Sequence, residues 1–479
     1  MPVQVKEWCQ RDWTHPGYDL ERSNAGSIPA RGGALADLYC LAPDPPSGAL
    51  KRAPAWALAP AYPSGVRDVQ GAFFDADHQR TCFIGDRSGD MVLFYTATWS
   101  SWSSVTTLVS GKNLGGLVGR NVAYWGHYLW VIDEDKNVHR GADYTAALSS
   151  FYAGGDAEIL CPMNDRMFGA TSAGVIPRLT SAGTWSAYHS PVAALHPVYL
   201  TPFRQYMTVI AKGDDDTLSI YRLPDWSANS LHQLARLPTP GYLAEIGAPI
   251  ALYDDKIWTL AGQQKTPSDY RIDVYTFDGT RTHLGAAISN LARFGLPPTS
   301  GLLVYHGLLI FYTLDTTLAT GHAFRALVGD TFTDYAPLGY GAAGVMTPFA
   351  ACIGDTLVTT ARYDGAERLF YARRDQLADG YLVTARLDMG HPGLLKRLDT
   401  LTVILDGAGA DFSVSLQYRV DDQAGWTTAT TAAGTRIVRV ADLATEFYLL
   451  QIRVEIDDDS ATSQDIGIEA VSAVYTIST

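Results

Sequence analysis

The chain has 479 residues, with 36 basic against 50 acidic side chains and a formal net charge of −14. Hydrophobic residues make up 47% and charged ones only 18%, which excludes a disordered, highly charged chain. A pI near 5.2 argues against a protein that wraps nucleic acid through a basic surface, and 44 glycines without a fixed period exclude a collagen.

Met1 to Trp8 contains no apolar core of signal-peptide length and no small-residue cleavage site, which predicts synthesis in the cytosol. The longest apolar stretch, Leu302 to Leu314, is interrupted by His306 and Gly307 and is too short to span a bilayer as a helix, so no membrane partner is expected. Residues 1–67 are rich in Pro, Gly and Ala and show little periodicity. They read as an extended arm, ordered by what it lies on, with the first propeller strand at its end.

Short β-rich runs then recur every 40–50 residues or so, the spacing of propeller blades. The first unit runs from Gly71 to Tyr95 and the second from Val122 to Ile132. The third covers about 157–188, and the fourth pairs Gln205 to Ala211 with Thr217 to Arg222. The fifth starts at Pro249, the sixth at Leu302 and the seventh at Phe349. Four units share a two-residue polar turn between a small apolar strand and an aromatic or branched one. The turns are Trp125-Gly126, Asp254-Asp255, His306-Gly307 and Gly354-Asp355. The pattern predicts a six- or seven-bladed β-propeller over 68–385. Residues 225–237 and 286–294 are the two places where a short helix is expected.

Beyond about residue 386 the rhythm changes to strict alternation. Phe412, Val414, Leu416, Tyr418 and Val420 alternate with Ser413, Ser415, Gln417 and Arg419. Tyr448, Leu450, Ile452, Val454 and Ile456 alternate with Leu449, Gln451, Arg453 and Glu455. Period two with one polar face predicts half-buried antiparallel sheets. Residues 386–479 therefore read as a small, jelly-roll-like β-sandwich, and the whole chain as all-β.

The motifs of common chemistries are weak or missing. Gly339 to Gly344 matches G-x-G-x-x-G, but no helix follows inside a β-α-β unit. Asp133, Asp135 and Asn137 open like a calcium loop, yet Val138 and Tyr144 stand where glycine and a bidentate glutamate are required, so a hairpin turn is expected. Gly213 to Asp216 and Asp457 to Asp459 read as wet acidic turns. The Asp-box of sialidase-like propellers, G-x-S-x-G, H-E-x-x-H and the P-loop are all absent from the sequence, so no catalytic residue, metal ligand or cofactor is expected. Cys9, Cys40, Cys82, Cys161 and Cys352 lack a Cys-x-x-Cys pair and read as reduced thiols filling small core spaces. Trp99 and Trp102 are the candidate sugar-stacking residues, against the alternative of a blade strand packed on its neighbour.

The segments Ala36-Asp37-Leu38-Tyr39-Cys40-Leu41, Pro43-Asp44-Pro45-Pro46 and Gly48 to Pro54 resemble the N-terminal arm of bacteriophage virion proteins of the tail and neck, in which an arm leads into a β-propeller. They depart from that style at Leu41 and Ala53-Pro54. Arg386 to Gly390, Lys396-Arg397-Leu398, Val414 to Asp421 and Gly425-Trp426 are similar to the sandwich that ends many such proteins. The resemblance implies a non-enzymatic structural role in the virion, in several copies, with other virion proteins and copies of itself as partners and no nucleic acid. On this reading Trp8, Trp13, Tyr18, Tyr39, Leu50 and Arg52 are the candidate assembly-arm residues. The rival readings are a virion protein that binds a host-surface glycan and, third, a propeller-type glycoside hydrolase with a convergent carboxylate pair.

Overall fold

The computed structural model describes residues 4–11, 35–39, 41–43, 49–116, 120–163, 166–172, 175–179, 185–189, 195–213, 217–223, 232–240, 250–266, 269–279, 282–288, 300–314, 321–328, 331–336, 338–339, 349–407, 412–457 and 466–477. The described residues are all-β and contain no helix. Where the expected helices are described, the chain is strand: His232–Pro240 and Thr282–Ile288. Each is the fourth strand of a sheet, and pairing there overrides a weak local preference. The chain divides into two compact units. One comprises Met1–Trp56, Phe324–Pro337 and Ala372–Thr479; the other comprises Ala57–Ala323 and Leu338–Tyr371. This differs from the linear division at 67 and 385, because N-terminal strands complete the C-terminal sheets.

The described residues of the second unit hold the inner strands of seven blades of a β-propeller. Blade 1 consists of Val66–Asp75, Arg80–Arg87, Asp90–Thr96 and Thr106–Val109. Blade 2 consists of Val122–Trp125, Tyr128–Ile132, Val138–Gly141 and Ser149–Tyr152. Blades 3, 4 and 5 open with the inner strands Ala157–Met163, Leu195–Phe203 and Ile250–Tyr253, each followed by three more strands in chain order. Blade 6 opens with Ser300–Tyr305 and blade 7 with Ala350–Ile353. The outer strand of blade 7 is Pro54–Leu58, from the other end of the sequence. Within this unit Ala59 N–H donates to Leu369 C=O at 2.9 Å, and the inner strands of blades 7 and 1 adjoin, so the ring closes through the N-terminal segment.

The inner hairpins explain why the repeats are legible. Gly126-His127 has φ of 62° and 62°, Asp254-Asp255 52° and 51°, and His306-Gly307 47° and 76°. Positive φ at both central positions is the two-residue turn whose twist matches the flanking strands. The blade 2 turn sits one residue later than the sequence suggests, because Trp125 pairs with Tyr128. Gly307 faces open space, so its glycine is there for conformation and not for packing.

The first unit is a two-sheet sandwich. One sheet orders Leu41–Pro43, Leu50–Arg52, Gly467–Ile477, Lys396–Leu405 and Ile437–Val440, with Gln4–Gln10 also paired to Gly467–Ile477. The other runs through Leu35–Tyr39, Gly380–Thr384, Leu450–Asp457, Ser413–Val420 and Thr427–Ala433. Thr331–Asp334 joins it in parallel at Tyr39↔Asp334. The alternating residues interdigitate as expected: Leu398, Leu401, Val403, Val471 and Ala473 from one sheet meet Val414, Leu416, Ile452, Val454 and Ile456 from the other.

Candidate functional site

The sequence-predicted contact residues fall in several places. Leu50 is fully buried and Arg52 is 3% exposed, both in a strand paired to Gly467 and Ile468 or to Leu41. A side chain in its own core cannot serve a neighbouring subunit, so these two are core residues and not arm contacts. Trp8 lies half-buried on the strand Gln4–Gln10 and packs against the same core. Tyr39 belongs to the strand Leu35–Tyr39 by its backbone. Trp13 and Tyr18 lie outside the described residues, as do Gly341 to Gly344, Asp214 to Asp216, Asp458 and Asp459.

The sugar-stacking expectation is also corrected. Trp99 is 7% exposed and its ring stacks on Tyr371, centroids 4.3 Å apart. Trp102 sits edge-on to Phe94 at 5.0 Å and donates its Nε1–H to Pro60 C=O. Both fill the apolar cluster between blades 1 and 7, so their faces are already used. Cys82 and Cys161 are buried free thiols, each pushed up to about 12 by burial. Cys9 is free and exposed, unlike the core-filling role expected of it.

The buried carboxylates are engaged in turns. Asp133 accepts from Asn137 N–H at 2.8 Å and lies 2.8 Å from His139 Nε2, which makes the calcium-like segment a hairpin clasp. Asp86 accepts from Gly89 N–H and Arg67 Nε. Asp75 accepts from Tyr144 Oη–H in blade 2 and lies 2.8 Å from His78 Nδ1. Burial opposes ionisation of Asp75, but the hydrogen bonds from Tyr144 and His78 outweigh it and hold the pKa below its ordinary value. Phe73 and Tyr124 stack beside this group at 5.1 Å, so it ties blade 1 to blade 2.

The arrangement best suited to recognition lies on the outer face of the sandwich. On Leu450–Asp457 the residues Ile452, Val454 and Ile456 point into the core, which turns Gln451, Arg453 and Glu455 to the opposite face, where Gln451 is buried and Arg453 and Glu455 are half-buried. Register places Gln417 opposite Arg453 and Arg419 opposite Gln451. The Arg419 guanidinium lies 4.6 Å from the Trp426 ring centre, and Arg453 lies 4.6 Å from Tyr381 and 5.9 Å from Trp426. A stack of two cations and two rings results. Gln417 donates to Glu455 at 2.9 Å, Arg453 also pairs with Glu455, and Arg419 donates to Gln451 at 2.7 Å. Arg386 pairs at 3.1 Å with Asp422, itself 93% exposed. Burial, reinforced by the Arg386 cation, pulls the Arg419 pKa below its ordinary value. The Nε atoms of Arg386 and Arg453 are buried without a hydrogen-bond partner. The outward alternation is visible in the sequence, but its stacking on Trp426 is not, because Trp426 belongs to the connecting loop.

No protein-family model matches the chain, and no curated protein matches it. Solved structures similar to it include YCF48 from Cyanidioschyzon merolae, 13% identical over 67% of this chain and 98% of that one, with a TM-score of 0.41. They also include oligogalacturonate lyase from Vibrio parahaemolyticus, 11% identical over 70% and 97%, with a TM-score of 0.45. The WD40 repeats of RRP9 are 10% identical over 67% and 99%, with a TM-score of 0.44.

Proposed function

We propose that the chain is a non-enzymatic structural component of a phage particle, of the tail or neck, made in the host cytoplasm and present in several copies. The sequence resemblance of the arm and of the C-terminal segments supports the virion assignment. The observation that carries the assembly role is the stack of Arg419, Trp426, Arg453 and Tyr381 on one sheet face. Arg, Trp and Tyr are the side chains that concentrate binding energy at interfaces, because they bury large flat surfaces at little entropy cost. The occupant of this face is a second copy of this chain. Arg386 and Arg453 are paired with Asp422 and Glu455, whereas Arg419 donates only to the neutral Gln451, and a second copy with a net charge of −14 has carboxylates in excess to meet it.

Immunogold electron microscopy of purified particles tests the assignment. Label at one discrete particle location is the expected result. Intact particles that carry no label, while the free protein is labelled, would overturn it.

A further inference from the structure

A cavity of about 310 Å³ opens among the inner strands of blades 2, 3 and 4, where the channel of a propeller runs. Its lining includes Arg120, Tyr124, Cys161, Pro162, Tyr199 and Thr201. Among the described residues Arg120 is the only basic one in that lining. Its guanidinium carbon lies 3.9 Å from the centre of the Tyr199 ring, and its Nη2 donates to Tyr199 Oη. The backbone is fixed as well, since Arg120 C=O accepts from Leu160 N–H at 2.8 Å. Arg120 Nε is buried and has no hydrogen-bond partner.

The electrostatic surroundings of this cation are one-sided. Burial raises the Tyr199 pKa and pushes Tyr312 up to about 12 and Cys161 up to about 12; in each case the Arg120 charge works in the opposite direction. All three groups are neutral near pH 7, so none of them balances the guanidinium. Among the described residues no carboxylate pairs with Arg120. A half-buried cation held in place by a stacked phenol, beside a cavity and without a carboxylate partner among the described residues, is preorganised for an anion. The fork of a guanidinium matches the two oxygens of a carboxylate, and the size is at the small end of ligand pockets.

We infer that this cavity is a binding site for a small organic carboxylate, with Arg120 as its anion-holding residue and Tyr199 as the residue that positions Arg120. The site is separate from the sandwich face and does not depend on the assembly role.

Isothermal titration of the full-length protein with D-glucuronate, glutarate, inorganic phosphate and D-glucose tests this. Expected is saturable binding of at least one of the two carboxylates, at least tenfold weaker binding of phosphate, and none of glucose, the neutral counterpart of glucuronate. Arg120→Gln is expected to weaken carboxylate binding at least tenfold. Tyr199→Phe removes the hydroxyl and keeps the ring, and should weaken it several-fold with the melting curve little changed. Absence of binding by both carboxylates would overturn the inference. So would glucose binding equal to glucuronate, or phosphate binding as tight as the carboxylates. Unchanged affinity in a folded Arg120→Gln protein would overturn it too, and the comparison among ligands on the unmodified protein stands even if that variant does not fold.

Discussion

Trp99 stacks on Tyr371 with ring centroids 4.3 Å apart and planes 18° from parallel, and this pair joins the first blade of the propeller to the last. The same cluster holds Phe83, Phe94 and Leu369, so the closure of the ring is an apolar contact as well as a strand pairing. Trp99→Ala should therefore destabilise the propeller by about 3–5 kcal/mol, as expected for deletion of a buried Trp. Urea unfolding followed by circular dichroism measures it. A solvent-facing sugar platform would instead leave stability nearly unchanged.

Leu50 separates a core strand from an assembly arm. It is fully buried among Leu41, Ile468 and Leu398 in the sandwich core. Leu50→Ala should cost about 2–5 kcal/mol in the stability of the sandwich. The check is the unfolding transition of dilute protein, where contacts between copies do not contribute. An unchanged transition would place Leu50 on an intermolecular contact.

Asp75 confers an acid-sensitive stability. Its pKa is lower in the folded state than in the unfolded chain, so the unfolded state binds the proton more readily. The stabilisation is fully present above about pH 4 and is lost as pH falls through the folded value. Asp75→Asn should lower stability by about 1–3 kcal/mol at pH 7, and the gap from the unmodified protein should shrink below about pH 4. Parallel unfolding curves between pH 3 and 7 test this. A gap that stays constant would show that the carboxylate charge is not involved.

Lys396 gives the same slope at the alkaline end of the scale. It is 1% exposed and donates to Leu394 C=O at 2.7 Å and Tyr448 C=O at 3.0 Å. Burial lowers its pKa, against the pull of Asp388 and Asp421. Just below the ordinary lysine value of about 10.4, the unfolded chain then holds more protons than the folded one, so stability from this group rises with pH. Lys396→Met removes that gain. The difference in melting temperature between the two proteins should shift in favour of the unmodified protein from pH 8 to 10, while tyrosine ionisation, common to both, cancels. A pH-independent difference would contradict the burial effect.

The parts of the fold that were legible in the sequence are those written in local chemistry. Asp254-Asp255 and His306-Gly307 mark hairpins because few residues accept positive φ twice in succession. Val414, Leu416 and Tyr418 mark a sandwich strand because period two decides which face is buried. The pairing of Pro54–Leu58 with the last blade was not legible, since five residues without alternation do not name a partner some 300 positions away. The burial of Leu50 and Arg52 was missed for the same reason: a Pro/Gly-rich segment looks like an arm until its partner, the strand Gly467–Ile477, is known. Arg120 belongs to no motif. Its setting arises only when three blades meet around it.

The self-association of the chain through its arginine–aromatic face is the central claim, and sedimentation equilibrium of the unmodified protein beside Arg419→Glu and Trp426→Ala tests it most directly. The unmodified protein should form a discrete multimer that weakens as salt is raised. Each variant should bind its copies roughly 30-fold or more weakly, as for loss of an interface hot spot of about 2 kcal/mol, with an unchanged melting curve. An unmodified protein that stays monomeric at every concentration, or folded variants that assemble as it does, would contradict the account.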